Sequence, residues 1–188
     1  MNDEGWSVEV VTRSPGQTRA VGAAIAGLVD PGDVVLLVGE LGSGKTVLTK
    51  GLVTALGGGE ATTSPTFVLC HLYPTTPPVA HVDCYRLAPS DDLADLALDE
   101  ALEDGSVVVV EWGEHARGLL GAEALECLLS PVPAEPSARP GPLPEDSRLI
   151  VLAARGKRWS SRSGALVAAL ERAGLAVARR AAGGSTPR

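Results

Sequence analysis

No apolar run in this 188-residue chain approaches the ~20 residues that span a bilayer, so no membrane-spanning segment is expected. A signal peptide is not expected either, because the start carries Asp3 and Glu4 and has no apolar h-region. Cysteine is scarce and odd in number: Cys70, Cys84 and Cys127 have no framework spacing, which argues against a disulfide scaffold and for a reducing cytosol. A zinc site is not expected. In extended strands Cys70 and His71 point to opposite faces, as do His81 and Cys84, so the four side chains do not converge. Small apolar core residues are the better reading of these cysteines. No internal repeat is present, and the length suits one α/β domain with a sizeable core.

Charge is unevenly distributed. Residues 1–154 hold 8 basic and 22 acidic side chains, a net −14, and residues 155–188 hold 8 basic and 1 acidic, a net +7. The acidic body opposes broad contact with nucleic-acid phosphates. The basic end reads as a solvated helix followed by a frayed terminus. The expected organisation is a single domain over residues 1–175 and a flexible basic tail over 176–188. Six prolines between Ser130 and Pro144 mark an irregular loop.

Against these absences stands one dense motif. Gly39-Glu-Leu-Gly-Ser-Gly-Lys-Thr46 fits G-x-x-x-x-G-K-[ST], a turn whose backbone N–H groups cradle phosphate. Lys45 is expected to reach the β- and γ-phosphates, and the Thr46 hydroxyl to ligate Mg²⁺. The context agrees. Asp33 to Val38 is a continuous apolar run suited to a buried parallel strand, and Val47 to Leu56 reads as a helix that stops at Gly57-Gly58-Gly59.

Around that unit the pattern predicts a strand over Trp6–Thr12 and a helix from Ser14-Pro15 to about Val29, with Ser14 as N-cap. Two strands are expected over Thr66–Leu72 and Pro78–Leu87. A helix runs from Ser90-Asp91-Asp92 to about Leu102, and Val107–Val110 forms a buried strand. A last strand, Arg148–Ala153, precedes a helix from Ser160 or Ser161 to about Ala173. Two carboxylates each end an apolar strand: Asp83 after Val79–Val82, and Glu111 after Val107–Val110. In a parallel sheet the carboxyl ends line the ligand crevice, so both can converge on the phosphates. His81, Asp83 and Tyr85 share one strand face. Ser14 approaches the nucleotide if the first helix abuts the loop. Lys157, in the basic turn Arg155–Arg158, is taken as a nucleotide contact, with a solvent-facing turn as the other reading.

Gly39–Thr46, Ser64-Pro65-Thr66-Phe67, His81-Val-Asp-Cys-Tyr-Arg86 and Val110-Glu111-Trp112, in this order, strongly resemble the TsaE (YjeE) family over roughly residues 6–120, with weaker correspondence to about 160. That resemblance implies a three-layer P-loop NTPase domain with a mostly parallel central sheet flanked by helices. It also implies a cytoplasmic Mg²⁺-dependent ATPase supporting threonylcarbamoyladenosine formation in bacterial tRNA. TsaB and TsaD are the implied partners, with tRNA met indirectly through their complex, and ATP and Mg²⁺ are the implied cofactors. By position, Gly39 and Leu41, Gly42, Ser43, Gly44, Lys45 and Thr46 bind phosphate, and Thr46 and Glu111 hold the metal. Lys45, Asp83 and Glu111 form the catalytic set, with Asp83 orienting water. Ser64, Pro65 and Thr66 resemble a switch-like segment, and Trp112 stands beside the nucleotide. Three departures stand out, one being that the Pro-rich Ser130–Pro144 segment and the basic tail look like additions to the family pattern. Val47 replaces a common second Thr, removing a hydroxyl from the cradle, and Gly113 replaces a common Pro, which is expected to loosen that turn.

Other classes fit less well. A small-molecule kinase should carry an Arg-rich lid, yet residues 87–138 contain only Arg117. A switch GTPase needs an N/T-K-x-D segment, which is missing. A non-hydrolysing nucleotide-sensing subunit stays open as an alternative.

Overall fold

Valine crowds a helix and fits a pleated strand, and the two valine-rich runs sit at the centre of the sheet. β2 (Val34–Val38) and β5 (Val107–Glu111) pair in parallel, Val34 opposite Val108 and Leu37 opposite Glu111. This computed structural model describes residues 6–59, 70–85, 98–132 and 143–180. The remaining strands are β1 (Ser7–Thr12), β3 (Cys70–Tyr73), β4 (Val79–Asp83), β6 (Ala124–Pro131), β7 (Arg148–Ala154) and β8 (Val177–Arg180). The helices are α1 (Pro15–Ala26), α2 (Lys45–Ala55), α3 (Leu98–Glu103), α4 (Arg117–Leu120), α5 (Gly156–Ser160) and α6 (Ser163–Arg172).

The sheet runs β3-β4-β5-β2-β6-β7-β1-β8. The inner strands β4, β5, β2 and β6 pair in parallel, and β1 runs in their direction. β3, β7 and β8 run the other way, so the parallel block is flanked by antiparallel margins. One face carries Val35, Leu37 and Val109 beneath α1, α2 and α6, through Ile25, Leu48, Leu52 and Leu166. The other carries Leu36, Val108 and Val110 against Leu98 of α3 and Leu120 of α4. Burying each such Leu or Ile contributes about 1.5–3 kcal/mol, so the strand that leads into the loop is fixed from both sides. This is the three-layer α/β arrangement that the sequence implies.

α1 and α2 meet backbone to backbone. A Cβ on Gly51 would lie 2.0 Å from the Arg19 carbonyl oxygen, and one on Gly22 would lie 2.1 Å from that of Leu48. Only glycine permits that approach, and it brings the start of α1 beside the start of α2.

Several expectations are corrected. β6 was not expected, although it is the inner neighbour of β2. It enters the Pro-rich segment as far as Pro131. β7 is not the last strand: β8 pairs antiparallel with β1, Val10 opposite Val177. The ordered sheet therefore extends through Arg180, and the boundary placed at residue 176 moves with it. α1 ends at Ala26 with Gly27 as its cap, short of Val29. α5 precedes α6, so the C-terminal helix is two pieces. Residues 64–66, the capping run 90–92, the centre of the Pro-rich segment and residues 181–188 lie outside the described residues.

Three of the eight basic residues in the segment 155–188 are held in ion pairs. Arg155 pairs with Glu126 at 2.6 Å, Arg158 with Asp33 at 2.9 Å, and Arg162 with Asp30 at 2.6 Å and also with Asp33. Among the described residues, no helix is long and apolar enough to cross a membrane.

Candidate functional site

The loop between β2 and α2 is shaped by glycines that no other residue replaces. Gly44, the N-cap of α2, has φ +104, in the left-handed region. Gly39 has φ +150, and a Cβ there would meet the Leu129 carbonyl oxygen of β6 at 2.3 Å. The loop thus lies tight against β6 at its base. Its tip is open, with Leu41 80% exposed and Gly42 exposed. The first amides of α2 have no intrahelical acceptor and face an anion naturally.

Lys45 is buried, and its Nζ donates to Gly39 O at 2.7 Å and Glu40 O at 2.9 Å. It also lies 4.0 Å from the centroid of the Trp112 ring. Burial pushes its ammonium below the ordinary lysine range, while Glu111, Glu114 and Asp83 pull it back up. An entering phosphate would take the place of the two carbonyls and relieve that desolvation with a full counter-charge.

Thr46 and Glu111 meet across the two central strands: the Thr46 hydroxyl donates to Glu111 Oε2 at 3.0 Å. Parallel registry sets Asp83 beside Glu111. Both carboxylates are buried, and Asp83 Oδ1 accepts from the Tyr85 amide at 3.0 Å. Tyr85 and Trp112 rings pack 4.9 Å apart. Trp112 itself has φ 60, a strained conformation for an aromatic residue, which turns its ring back over Lys45. Gly113 donates its N–H to Leu37 O at 2.9 Å. Proline cannot make that bond, so this turn is tied to β2 rather than loosened, a correction to the expectation.

The donor set fits a Mg²⁺–nucleotide pair. Ser43 Oγ and Glu114 Oε2 are buried with no hydrogen-bond partner among the described residues, polar atoms left over at the loop. Among the described residues, no group of three or more His, Cys, Asp and Glu is arranged to hold a metal alone. A Mg²⁺ held by one or two side chains here would complete its shell with water and phosphate oxygens.

Ser14 caps α1 by accepting from the Gln17 amide at 3.3 Å. One turn on, Thr18 borders Gly44: a Cβ on Gly44 would touch its Cγ2 at 3.7 Å. The start of α1 therefore abuts the loop. Lys157 does not. β7 runs antiparallel to β6, with Leu125 opposite Ala154, and β6 parallel to β2, with Val34 opposite Ala124. The turn after β7 therefore lies at the end of the sheet where β2 begins, and the loop lies at the end where β2 finishes. The Lys157 amide lies 3.4 Å from Glu123 Oε1 at that far end, so its assignment to the nucleotide is corrected.

The same topology reveals a residue that sequence reasoning missed. Arg148 heads β7 and donates to Ser43 O and Gly42 O, each at 3.2 Å. It also donates to Glu145 O at 2.9 Å and Ser147 O at 3.0 Å. The signal was a basic residue opening a strand, and it is readable only when β6 is known. Glu114 was missed too; it lies close enough to act on Lys45.

Comparison with known proteins agrees with this geometry. The family described as "Threonylcarbamoyl adenosine biosynthesis protein TsaE" matches residues 12–135. A Streptomyces coelicolor protein named tRNA threonylcarbamoyladenosine biosynthesis protein TsaE is 40% identical over 147 residues, 76% of this chain and 94% of the relative. A Bacillus subtilis protein of the same name is 35% identical over 149 residues, 79% of this chain and 86% of the relative. Among solved structures, the crystal structure of Bacillus subtilis YdiB matches with a TM-score of 0.66 at 28% identity, covering 88% of this chain and 95% of that one.

Proposed function

This chain belongs to the TsaE family, and from that premise we propose that it is a cytoplasmic Mg²⁺-dependent ATPase acting in threonylcarbamoyladenosine formation on tRNA, with TsaB and TsaD as its partners. The observation that carries the reading is the Thr46–Glu111 hydrogen bond at the mouth of a P-loop, with Asp83 on the adjoining strand. Phosphate binding alone would need the loop; the paired strand-end carboxylates supply what hydrolysis needs besides.

In this reading Gly39, Leu41, Gly42, Ser43 and Gly44 present the phosphate-facing backbone. Lys45 exchanges its two carbonyl acceptors for phosphate oxygens. Thr46 and Glu111 hold Mg²⁺, which when bound neutralises phosphate charge and polarises the γ-phosphoryl group. Asp83 accepts a hydrogen bond from the attacking water and fixes its direction. Ser14 and Trp112 border the nucleotide. Ser64, Pro65 and Thr66 are assigned a switch-like role on the family resemblance. Residues through Arg180 act as one unit.

The test is hydrolysis of ATP by the purified chain, alone and with TsaB and TsaD, with and without Mg²⁺. Lys45→Ala is expected to abolish both binding and turnover, and Asp83→Ala to abolish turnover while ADP still binds. Full turnover in the Asp83 variant would remove that residue from catalysis. Absence of any ATP turnover, even with both partners, would leave a nucleotide sensor as the reading.

A further inference from the structure

Beside the two carboxylates lies a histidine with no task in the scheme above. His81 is fully buried on β4. It shares the strand face of Asp83, two residues away, and pairs in register with Val109. Its ring stacks near that of Tyr73, with centroids 6.3 Å apart. His81 Nε2 lies 2.9 Å from Glu111 Oε1, while Glu111 Oε2 accepts the Thr46 hydroxyl. His81 Nδ1 is buried and has no hydrogen-bond partner among the described residues.

These facts select one tautomer. A hydrogen on Nδ1 would be a buried donor without an acceptor, and a bare Nε2 would then face the carboxylate lone pairs. With the hydrogen on Nε2, the ring donates to Glu111, and only a lone pair goes unpartnered. His81 is therefore a fixed donor to Oε1. A glutamate needs such a donor more than an aspartate does: it has one more torsion, and its terminal torsion is broad. A single bond to Thr46 leaves the carboxylate free to swivel, whereas bonds at both oxygens do not.

We propose that His81 is a positioning residue that locks the Glu111 carboxylate through Oε1, so that Oε2 stays aimed at Thr46 and the Mg²⁺ held there. This rests on the assignment of Thr46 and Glu111 to the metal. Outer partners of metal-holding groups typically alter metal affinity by about 10–100-fold when removed.

The experiment titrates Mg²⁺ into the full chain with ADP bearing a fluorescent ribose tag, and repeats the binding in EDTA. His81→Phe keeps a ring against Tyr73 but removes the donor; His81→Gln keeps a donor at similar reach. The expected result is a Mg²⁺ midpoint raised by about 10-fold or more in His81→Phe, with unchanged affinity in EDTA and a near-normal midpoint in His81→Gln. An unshifted midpoint in His81→Phe, or an equal loss with and without Mg²⁺, overturns the proposal. Should His81→Phe fail to melt cooperatively, His81→Asn, whose amide is too short to reach, replaces it, and equal midpoints for Asn and Gln overturn the idea. Wild-type binding that ignores Mg²⁺ overturns the metal assignment as well. A Mg²⁺-dependent wild type beside an unshifted His81→Phe defeats the His81 role alone.

Discussion

Replacing Arg148 by methionine removes the guanidinium while keeping most of the aliphatic stem. In the native chain that guanidinium donates to Gly42 O and Ser43 O at 3.2 Å each. A hydrogen bond from a charged donor contributes about 1.5–3 kcal/mol. Here both bonds are long and reach toward solvent, so about 1 kcal/mol each is the appropriate discount, about 2 kcal/mol for the loop. The bonds to Glu145 O and Ser147 O stay within the approach to β7 and do not act on the cradle. A cradle that loses its grip spends part of its time in shapes that cannot bind, and apparent affinity falls by the competent fraction. The upper limit from about 2 kcal/mol is a roughly 30-fold weaker ADP complex. The melting midpoint should fall by at most about 4–8 °C, at about 2–4 °C per kcal/mol for a chain of this size. Isothermal calorimetry with ADP and Mg²⁺, beside scanning calorimetry of the free protein, reads both quantities. Arg148→Lys should recover part of the loss, because an ammonium lacks the fork that reaches two carbonyls at once. ADP affinity within twofold of wild type in a normally melting Arg148→Met protein would refute the reasoning, since the loop would then stand unaided.

Three further outcomes are expected. Val47→Thr returns a hydroxyl to the first turn of α2 and should tighten ADP binding by about 0.5–1.5 kcal/mol; an unchanged calorimetric affinity would show that no phosphate oxygen lies in reach. Gly51→Ala places a methyl 2.0 Å from the Arg19 carbonyl oxygen and should destabilise the fold by about 1–3 kcal/mol in urea titrations; an unmoved midpoint would mean that α1 and α2 can part freely. Burial, with Asp83 and Glu114 adding to it, pushes the Cys84 thiol from 9.0 up to about 12, so its folded pKa exceeds its unfolded one. That contribution to stability is complete below pH 9 and is lost as the pH climbs toward 12. The thermal midpoint should therefore drop across that range, less steeply in Cys84→Ala, and identical slopes would discount the thiol.

What was legible in the sequence was local. The P-loop, the valine strands and the strand-end positions of Asp83 and Glu111 all follow from short patterns, because neighbours in sequence are enough to set them. β6 was not legible because Glu126 interrupts its apolar run; that carboxylate is tolerated in the sheet because Arg117 and Arg155 flank it from elsewhere. Without β6 the direction of β7 could not be inferred. Lys157 was then assigned to the wrong end of the molecule, and Arg148 was overlooked at the right one. The face shared by His81 and Asp83 was readable from alternation alone. The bond from His81 to Glu111 was not, since it depends on how two strands align. Gly113 misled for a different reason: a residue that frees the backbone also keeps an N–H, and here that N–H is spent on Leu37.

The grip of Arg148 on the loop also sets an order of events during synthesis. It joins residues 105 and 106 positions apart, and the Arg162–Asp33 pair, at the other end of β2, joins residues 129 apart. Contacts of such sequence separation close slowly, because the intervening chain must first be organised. A nascent chain that has emerged only as far as α2 already carries every residue of the phosphate motif, yet holds neither anchor. Completion of the loop's supports is thereby postponed until nearly the whole polypeptide has been made, and a product truncated before β7 carries the phosphate motif without the Arg148 bonds that steady it.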